Sequence, residues 1–365
     1  MPKRYRAENV GSFLRPPELL RRRSEYTAGK IGLPELRAAE DRAVLEVFEG
    51  QRDAGMEIFT DGELRRGSWL TDMADAVEGF VPDKVMLEWK GPGGGTEGST
   101  AQVVGSKLRK MRKMTAHEVP FLKKCAPGSF KITLPAPSNF VVASYKRGIT
   151  DKFYPTHGDL LKDLVGFMRD EVHWLVEEGV SYIQFDAPYY THYVDQGERQ
   201  RMRAADFDPE NEFERAIAAD NAVLAGTPRE KVTVGIHVCR GNSRSRWYAE
   251  GSYDAIAERL FGSLDVDNFL LEYDTERAGG FEPLRFVPRG KAVVLGLVTT
   301  KTPELESQDV LRRRIDEAAK SVPIENLALS TQCGFASVAA GNLLSIEDQW
   351  RKLKLVVDTA RRVWG

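Results

Sequence analysis

The sequence predicts an α/β fold, a single (β/α)8 TIM barrel carrying one inserted antiparallel excursion. Short β-branched runs alternate with longer amphipathic stretches almost from end to end, the rhythm of parallel strands each followed by a helix. Eight such runs occur, the number that closes a barrel. The 365 residues are 42% hydrophobic, and no Ser/Pro-rich or charge-biased linker divides them, so one large barrel over residues 1–365 is expected in place of two small domains.

In order, the strands are expected at Asn9–Phe13, Met56–Asp61, Phe130–Pro135, Tyr182–Asp186, Val232–Val238, Asn268–Glu272, Ala292–Leu297 and Leu327–Leu329. Between them lie helix-length segments at Leu33–Ala54, Asp159–Glu178, Asn211–Leu224, Tyr253–Leu260, Pro303–Ser321 and Ile346–Val363. The second of these has apolar Leu160, Leu161, Leu164, Val165, Met168, Val172 and Leu175 at helical spacing, and Gly179 supplies a left-handed stop before Val180 opens the next strand. Ser345 can cap the last helix, whose apolar Trp350, Leu353, Val356, Val357 and Ala360 pack it back against the first elements.

The alternation breaks between Val81 and about Lys124. Lys90-Gly91-Pro92-Gly93-Gly94-Gly95 is tolerated by neither helix nor central strand, and Ala101 to Leu108 is strand-like, so residues 81–124 read as an antiparallel insertion. Long excursions from a barrel often sit on its catalytic face, and this one is expected to cover the active site, although a plain surface flap fits the same residues. A second excursion runs from Ala187 to Pro209.

Charge is balanced, 52 Lys+Arg against 54 Asp+Glu, so no global field holds a nucleic acid or an anionic membrane. The N-terminus is polar and no run of about 18 apolar residues occurs, which argues for a cytoplasmic protein without signal peptide or membrane span. The three cysteines, Cys125, Cys239 and Cys333, are too few for a disulfide framework.

Two of those cysteines fall where chemistry is expected. The buried-strand run Val232–Val238 ends in His237-Val238-Cys239, and residues two apart in an extended chain project to one side. A second apolar run ends in the carboxylate of Glu272, and a third leads into Cys333. In a parallel barrel the strand C-terminal ends converge, so His237, Cys239, Glu272 and Cys333 could meet, and two S, one N and one O donor suit zinc. The plainer reading keeps the cysteines as small buried hydrophobes and pairs Glu272 with an arginine. Cys125 has no strand-end context.

Over nearly its full length the chain resembles the C-terminal catalytic barrel of cobalamin-independent methionine synthase and its shorter stand-alone relatives. The resemblance lies in Val10-Gly11-Ser12-Phe13-Leu14-Arg15-Pro16, Asp61-Gly62-Glu63, Ile183-Gln184-Phe185-Asp186-Ala187-Pro188 and the three segments around the proposed metal ligands. It implies a zinc-dependent methyltransferase acting on homocysteine or a related amino-acid thiol, with zinc on His237, Cys239, Glu272 and Cys333. It also implies thiol-substrate contacts at Ser12, Glu63 and Asp186, the two acids holding the ammonium group. Only a thiolate is a good nucleophile, and zinc removes the proton at neutral pH. His192, in Tyr189-Tyr190-Thr191-His192-Tyr193, could donate a proton to a leaving group or be an ordinary loop residue. Trp247 and Tyr248 could stack on a flat donor or serve packing.

Three departures bear on the methyl donor. The folate-dependent family enzyme is a two-barrel protein, whereas this chain has one; no Trp occurs from Lys90 to His173, where the family carries a folate-stacking Trp; and Asp186 is followed by Ala187 instead of Glu. A donor other than folate triglutamate is therefore expected, such as a methylcorrinoid on a corrinoid protein partner, a sulfonium or a small alkyl or aryl compound. The alternative function is a zinc-dependent thiol alkyltransferase or C–S lyase resembling epoxyalkane:coenzyme M transferase, whose sulfonate thiol would call on Arg15, Arg65 or Arg66.

Overall fold

Seven parallel strands curl into one sheet in the computed structural model, which describes residues 3–205 and 207–365. In chain order the strands are β1 (Ala7–Glu8), β2 (Val77–Trp89), β3 (Gly95–Lys110), β4 (Ile132–Pro135), β5 (Tyr182–Asp186), β6 (Thr233–Val238), β7 (Asn268–Glu272), β8 (Ala292–Val298) and β9 (Leu327–Thr331). The sheet runs β1-β9-β8-β7-β6-β5-β4, and β2 with β3 forms a separate antiparallel hairpin. Every residue of β4 to β9 is buried, as expected of strands covered by helices outside and by one another inside.

The ring differs from eight regular strands at its first two positions, and in both the reason is a side chain that takes the place of a strand neighbour. The segment expected as the second strand, residues 56–61, makes only an isolated parallel bridge from Phe59 to Phe130. The side chain of Gln51, on the helix Leu33–Ala54, takes the ladder positions beside it: its Nε2 donates to the Thr60 carbonyl (2.8 Å) and its Oε1 accepts from the Thr60 N–H (3.0 Å). The segment still fills the eighth position, through Phe59 N–H to the Ser129 carbonyl and Phe13 N–H to the Gly62 carbonyl, each 2.9 Å.

The first strand is likewise shorter than Asn9–Phe13. Side chains occupy the backbone acceptors that a ladder would need: Lys131 Nζ donates to the carbonyl of Asn9, Gln184 Nε2 to that of Val10 and Thr60 Oγ1 to that of Gly11. This polar anchoring frees Gly11 and Ser12 from the sheet and turns them into the barrel mouth.

The helix Leu33–Ala54 spans the residues read from the sequence, His157–Glu177 starts two residues earlier than expected behind a Thr156–Asp159 capping box, and Ile346–Trp364 is capped by Ser345 as its sequence indicates. Tyr253–Leu260 is instead a 3-10 turn followed by the helix Ala257–Ser263, and the helix after β8 covers only Gln308–Ala318. Short helices at Pro17–Thr27 and, within the second excursion, at Gln196–Ala204 complete the shell.

The β2–β3 hairpin starts at Val77, and the short helix Val119–Cys125 ends the excursion. It arches over the C-terminal face of the barrel and is fastened there. Lys90 N–H donates to the Trp247 carbonyl (2.6 Å), Lys90 Nζ pairs with Asp195 (2.5 Å), Arg246 with Glu97 (2.6 Å), and Arg201 with Glu88. Gly91 at the tip has φ of +90°, and a Cβ there would lie 2.3 Å from the Trp247 ring, so only glycine permits this contact.

Candidate active site

The strand ends deliver the chemistry. Strand β6 carries His237 and runs straight into Cys239, β7 ends on Glu272, and Cys333 follows β9 by two residues. One ligand atom each from His237, Cys239 and Cys333 lies within 4.8 Å of the others, and all three residues are buried. His237 donates from Nδ1 to the Leu270 carbonyl (3.1 Å), which turns Nε2 towards the cysteines with no hydrogen bond of its own among the described residues. The Cys239 and Cys333 sulfurs share a hydrogen bond of 3.8 Å. That hydrogen bond, with His237 and Lys301 nearby, holds the Cys333 thiol well below its ordinary value, while the same bond and burial push Cys239 well above it.

An imidazole nitrogen and two sulfurs facing one point are a donor set that fits zinc, and among the described residues no fourth ligand-type side chain joins the group. Glu272 stands beside this group without joining it. Its Oε2 accepts from the Arg240 N–H (2.7 Å) and its Oε1 from Arg277 (2.9 Å). Burial alone would push its carboxyl up, but Arg277, Arg240 and Lys301 outweigh burial and hold it below the usual range.

Ser12, Glu63 and Asp186 line the same cavity of about 800 Å³ as the three ligand-type residues. Glu63 has φ of +55°, a strained conformation fixed by its N–H to Asp61 (2.7 Å), and its Oε1 accepts from Thr133 (3.0 Å). Asp186 accepts from Gln184 Nε2 at 2.8 Å. Burial first, then the neighbouring Glu63, pushes the Asp186 carboxyl up to about 7, and burial with Asp61 raises Glu63. Arg66, 3.9 Å away, and Arg15 offset Glu63 only in part, so the pair faces the cavity with too little positive charge to hold both carboxyls in their usual range. Ser12 Oγ accepts from the Ala336 N–H (3.3 Å), and a Cβ on Gly334 would stand 2.0 Å from that oxygen, so the loop bearing Cys333 is pressed onto the Ser12 turn.

His192 also faces the cavity. Its Nδ1 is 3.4 Å from Glu198, its Nε2 has no partner, and burial lowers its pKa despite Glu198. Tyr248 lines the cavity, whereas Trp247 does not: it packs under Arg277 (4.5 Å) and against the hairpin tip. Trp69, Glu198 and Arg201 are lining residues that the sequence did not single out, because nothing local distinguishes them from surface residues of a turn or short helix. The arginines that a sulfonate would need are committed elsewhere. Arg15 donates to the carbonyls of Ala336, Glu63 and Arg66, Arg65 pairs with Asp41, and Arg66 binds Asp72 and Glu118. Cys125 is half-buried and lies outside the cluster.

Residues 6–362 match the family described as cobalamin-independent synthase, catalytic domain. The uncharacterized protein YxjH of Bacillus subtilis (strain 168) is 35% identical over 99% of this chain and 95% of its own. A methionine synthase of Sulfurisphaera tokodaii is 26% identical over 89% of this chain and 84% of its own. Among solved structures, a protein provisionally described as the vitamin-B12-independent methionine synthase of Listeria monocytogenes superposes with a TM-score of 0.75 at 26% identity, over 100% of this chain and 99% of that one. A B12-independent methionine synthase from Shewanella sp. W3-18-1, in complex with selenomethionine, shares the fold at a TM-score of 0.75 and 19% identity, over 98% and 97% of the two chains.

Proposed function

The chain belongs to the cobalamin-independent methionine synthase family, and on that premise we propose that it transfers a methyl group to the thiol of homocysteine, or of a closely related amino-acid thiol, at a zinc site. His237, Cys239 and Cys333 are the residues that would hold the ion, with Glu272 as a fourth donor once it gives up its bond to Arg277 or to the Arg240 N–H. Zinc bound there would supply Lewis-acid help in deprotonating the substrate thiol at neutral pH.

One observation supports this reading above the rest: the ligand-type cluster and the cation-poor acid pair Glu63/Asp186 line a single cavity. An α-ammonium group between those carboxylates would offset the burial that raises both and the charge of Glu63 that raises Asp186 further, and its binding would favour their ionised forms. The backbone around Ser12 would meet the α-carboxylate, fixing the substrate at both ends of its amino-acid group while the sulfur reaches towards His237 and the cysteines. The β2–β3 hairpin closes the barrel mouth and keeps water from competing for the methyl group. We treat barrel and hairpin as one functional unit, with the small-molecule thiol and a methyl donor as its partners and the cytoplasm, where Cys239 and Cys333 would stay reduced, as its setting. His192 is placed by this reading on the donor side of the cavity.

The decisive experiment is product analysis by mass spectrometry after incubating zinc-loaded protein with homocysteine and a panel of methyl donors, including a methylated corrinoid protein. Methionine formation that disappears in Cys333→Ser protein is expected. Absence of homocysteine binding by calorimetry would overturn the reading.

A further inference from the structure

One wall of the cavity is continuously aromatic. Trp69, Tyr189, Tyr248 and Trp89 follow one another with ring centroids 5.8, 5.7 and 6.2 Å apart, and the His192 ring lies 4.8 Å from both tyrosines. The wall reaches the cysteine end of the site: the Tyr248 ring is seated on Gly241, where a Cβ would stand 2.4 Å from it, two residues past Cys239.

The charge of the same cavity is one-sided. Its lining carries Glu63, Asp186, Glu88 and Glu198, and the sole lysine or arginine among the described lining residues, Arg201, is paired with both Glu198 and Glu88. Once an amino-acid ammonium has taken up Glu63 and Asp186, acid remains in excess and no free cation is left for a phosphate or for the carboxylates of a folate tail. Aromatic faces with acidic neighbours attract a desolvated cation by the ring quadrupole and by Coulomb attraction together.

We propose that the methyl donor is a small onium cation, a methylsulfonium or a methylated quaternary ammonium, held against this aromatic wall. The inference rests on the methyl-transfer reading above and names the second substrate of that site. In the transfer, the homocysteine sulfur forms a bond to the methyl carbon, the electron pair of the broken C–S or C–N bond returns to the onium atom, and a neutral thioether or tertiary amine leaves. The thiol proton passes to water, so atoms and charge balance. Such a leaving group needs no proton, which agrees with the neutral state that burial favours at His192.

The test uses zinc-loaded protein saturated with homocysteine. Calorimetry should show choline, a cationic probe, binding at least tenfold tighter than its uncharged carbon isostere 3,3-dimethylbutan-1-ol. Tyr248→Leu and Trp69→Leu, taken separately, should abolish that preference while homocysteine affinity stays within twofold. Assays with trimethylsulfonium and tetramethylammonium, neither of which carries a carboxylate, distinguish the sulfonium and ammonium sources, and one of them should exceed methyltetrahydrofolate triglutamate and methylcobalamin at least tenfold in kcat/KM. Equal binding of choline and its isostere, or a preference for the folate, would overturn the proposal and leave homocysteine methylation standing. Failure of homocysteine itself to bind would overturn both.

Discussion

The thiols of Cys239 and Cys333 approach to 3.8 Å although 94 positions separate them in the chain. Two strands, β7 and β8, lie between the strands that carry them in the sheet, so a flat sheet with strands about 4.8 Å apart could not bring them together. Curling the sheet towards a barrel does, because strand C-terminal ends then face a common axis. The contact is thus a product of the fold, and the orientation of His237 by the Leu270 carbonyl on the neighbouring strand adds the third donor in a fixed tautomer.

One zinc per chain is expected after reconstitution. Cys239→Ser and Cys333→Ser should each fall below about half an equivalent, since structural N/S sites lose affinity steeply with each thiolate removed. Cys125→Ser, remote from the cluster, should retain full metal. Elemental analysis after dialysis checks this, and full zinc in either of the first two variants would remove the assignment.

Glu272→Gln should cost less zinc than either cysteine change. Its carboxylate is already engaged by Arg277 and by the Arg240 N–H, so binding through it exchanges one favourable contact for another. A competition titration against a chelator should therefore rank Cys239 and Cys333 above Glu272, with roughly a tenfold loss for Glu272→Gln, at the low end for a supporting group. A loss through Glu272→Gln as large as through Cys333→Ser would show that Glu272 binds the metal on equal terms.

The parts of this architecture legible in the sequence are those set by local pattern. Strands β5 and β7 and the helix Leu33–Ala54 fall on the residues that alternation and helical periodicity indicate. What was not legible depends on side chains remote in sequence. Gln51 replaces a strand neighbour of Thr60, and Lys131, Gln184 and Thr60 take the carbonyls that would have extended β1, and no property of residues 9–13 or 56–61 foretells this. The site divides the same way. The strand-end position of His237, Cys239, Glu272 and Cys333 is visible as an apolar run ending in a polar residue. The bond of Glu272 to Arg277, and the aromatic wall assembled from four separate segments at Trp69, Trp89, Tyr189 and Tyr248, exist only once the chain is folded.

If Glu63 and Asp186 hold an ammonium group, homocysteine should bind much more tightly than 3-mercaptopropionate, which lacks one. Asp186→Asn should raise KM for homocysteine roughly 10- to 100-fold, the cost of a charge-assisted hydrogen bond, with a smaller effect on kcat. Steady-state kinetics with both thiols decides it, and equal KM values for the two thiols would sink the assignment of the acid pair.

Gly91→Val should loosen the hairpin. The added carbon would collide with the Trp247 ring, and φ of +90° is unfavourable for a β-branched residue. Zinc content should be unchanged, cleavage by a nonspecific protease within residues 90–95 should accelerate, and kcat/KM should fall about tenfold as water enters the cavity. Wild-type kinetics in a variant whose hairpin is demonstrably cleaved faster would mean that the hairpin is not part of the working site.

Asp220 supplies a pH dependence separable from the metal site. Its carboxylate accepts from the Ser138 N–H (3.1 Å), the Ser138 hydroxyl (2.9 Å) and the Tyr190 hydroxyl (2.7 Å), tying the turns after β4 and β5 to the helix Pro209–Leu224. Burial outweighs those donors and pushes its carboxyl from 3.8 up to about 6. The folded state therefore holds this proton more tightly than the unfolded chain, so the stabilisation tied to it is complete below about pH 4 and is lost as pH rises through 6. Between pH 4.5 and 7 the wild type should lose about 2 kcal/mol relative to Asp220→Asn, which cannot ionise. Urea denaturation of both proteins at the two pH values measures the difference directly. A stability gap that stays constant with pH would show that Asp220 titrates in the folded protein as it does in the unfolded chain, and that the hydrogen bonds from Tyr190 and Ser138 fully offset its burial.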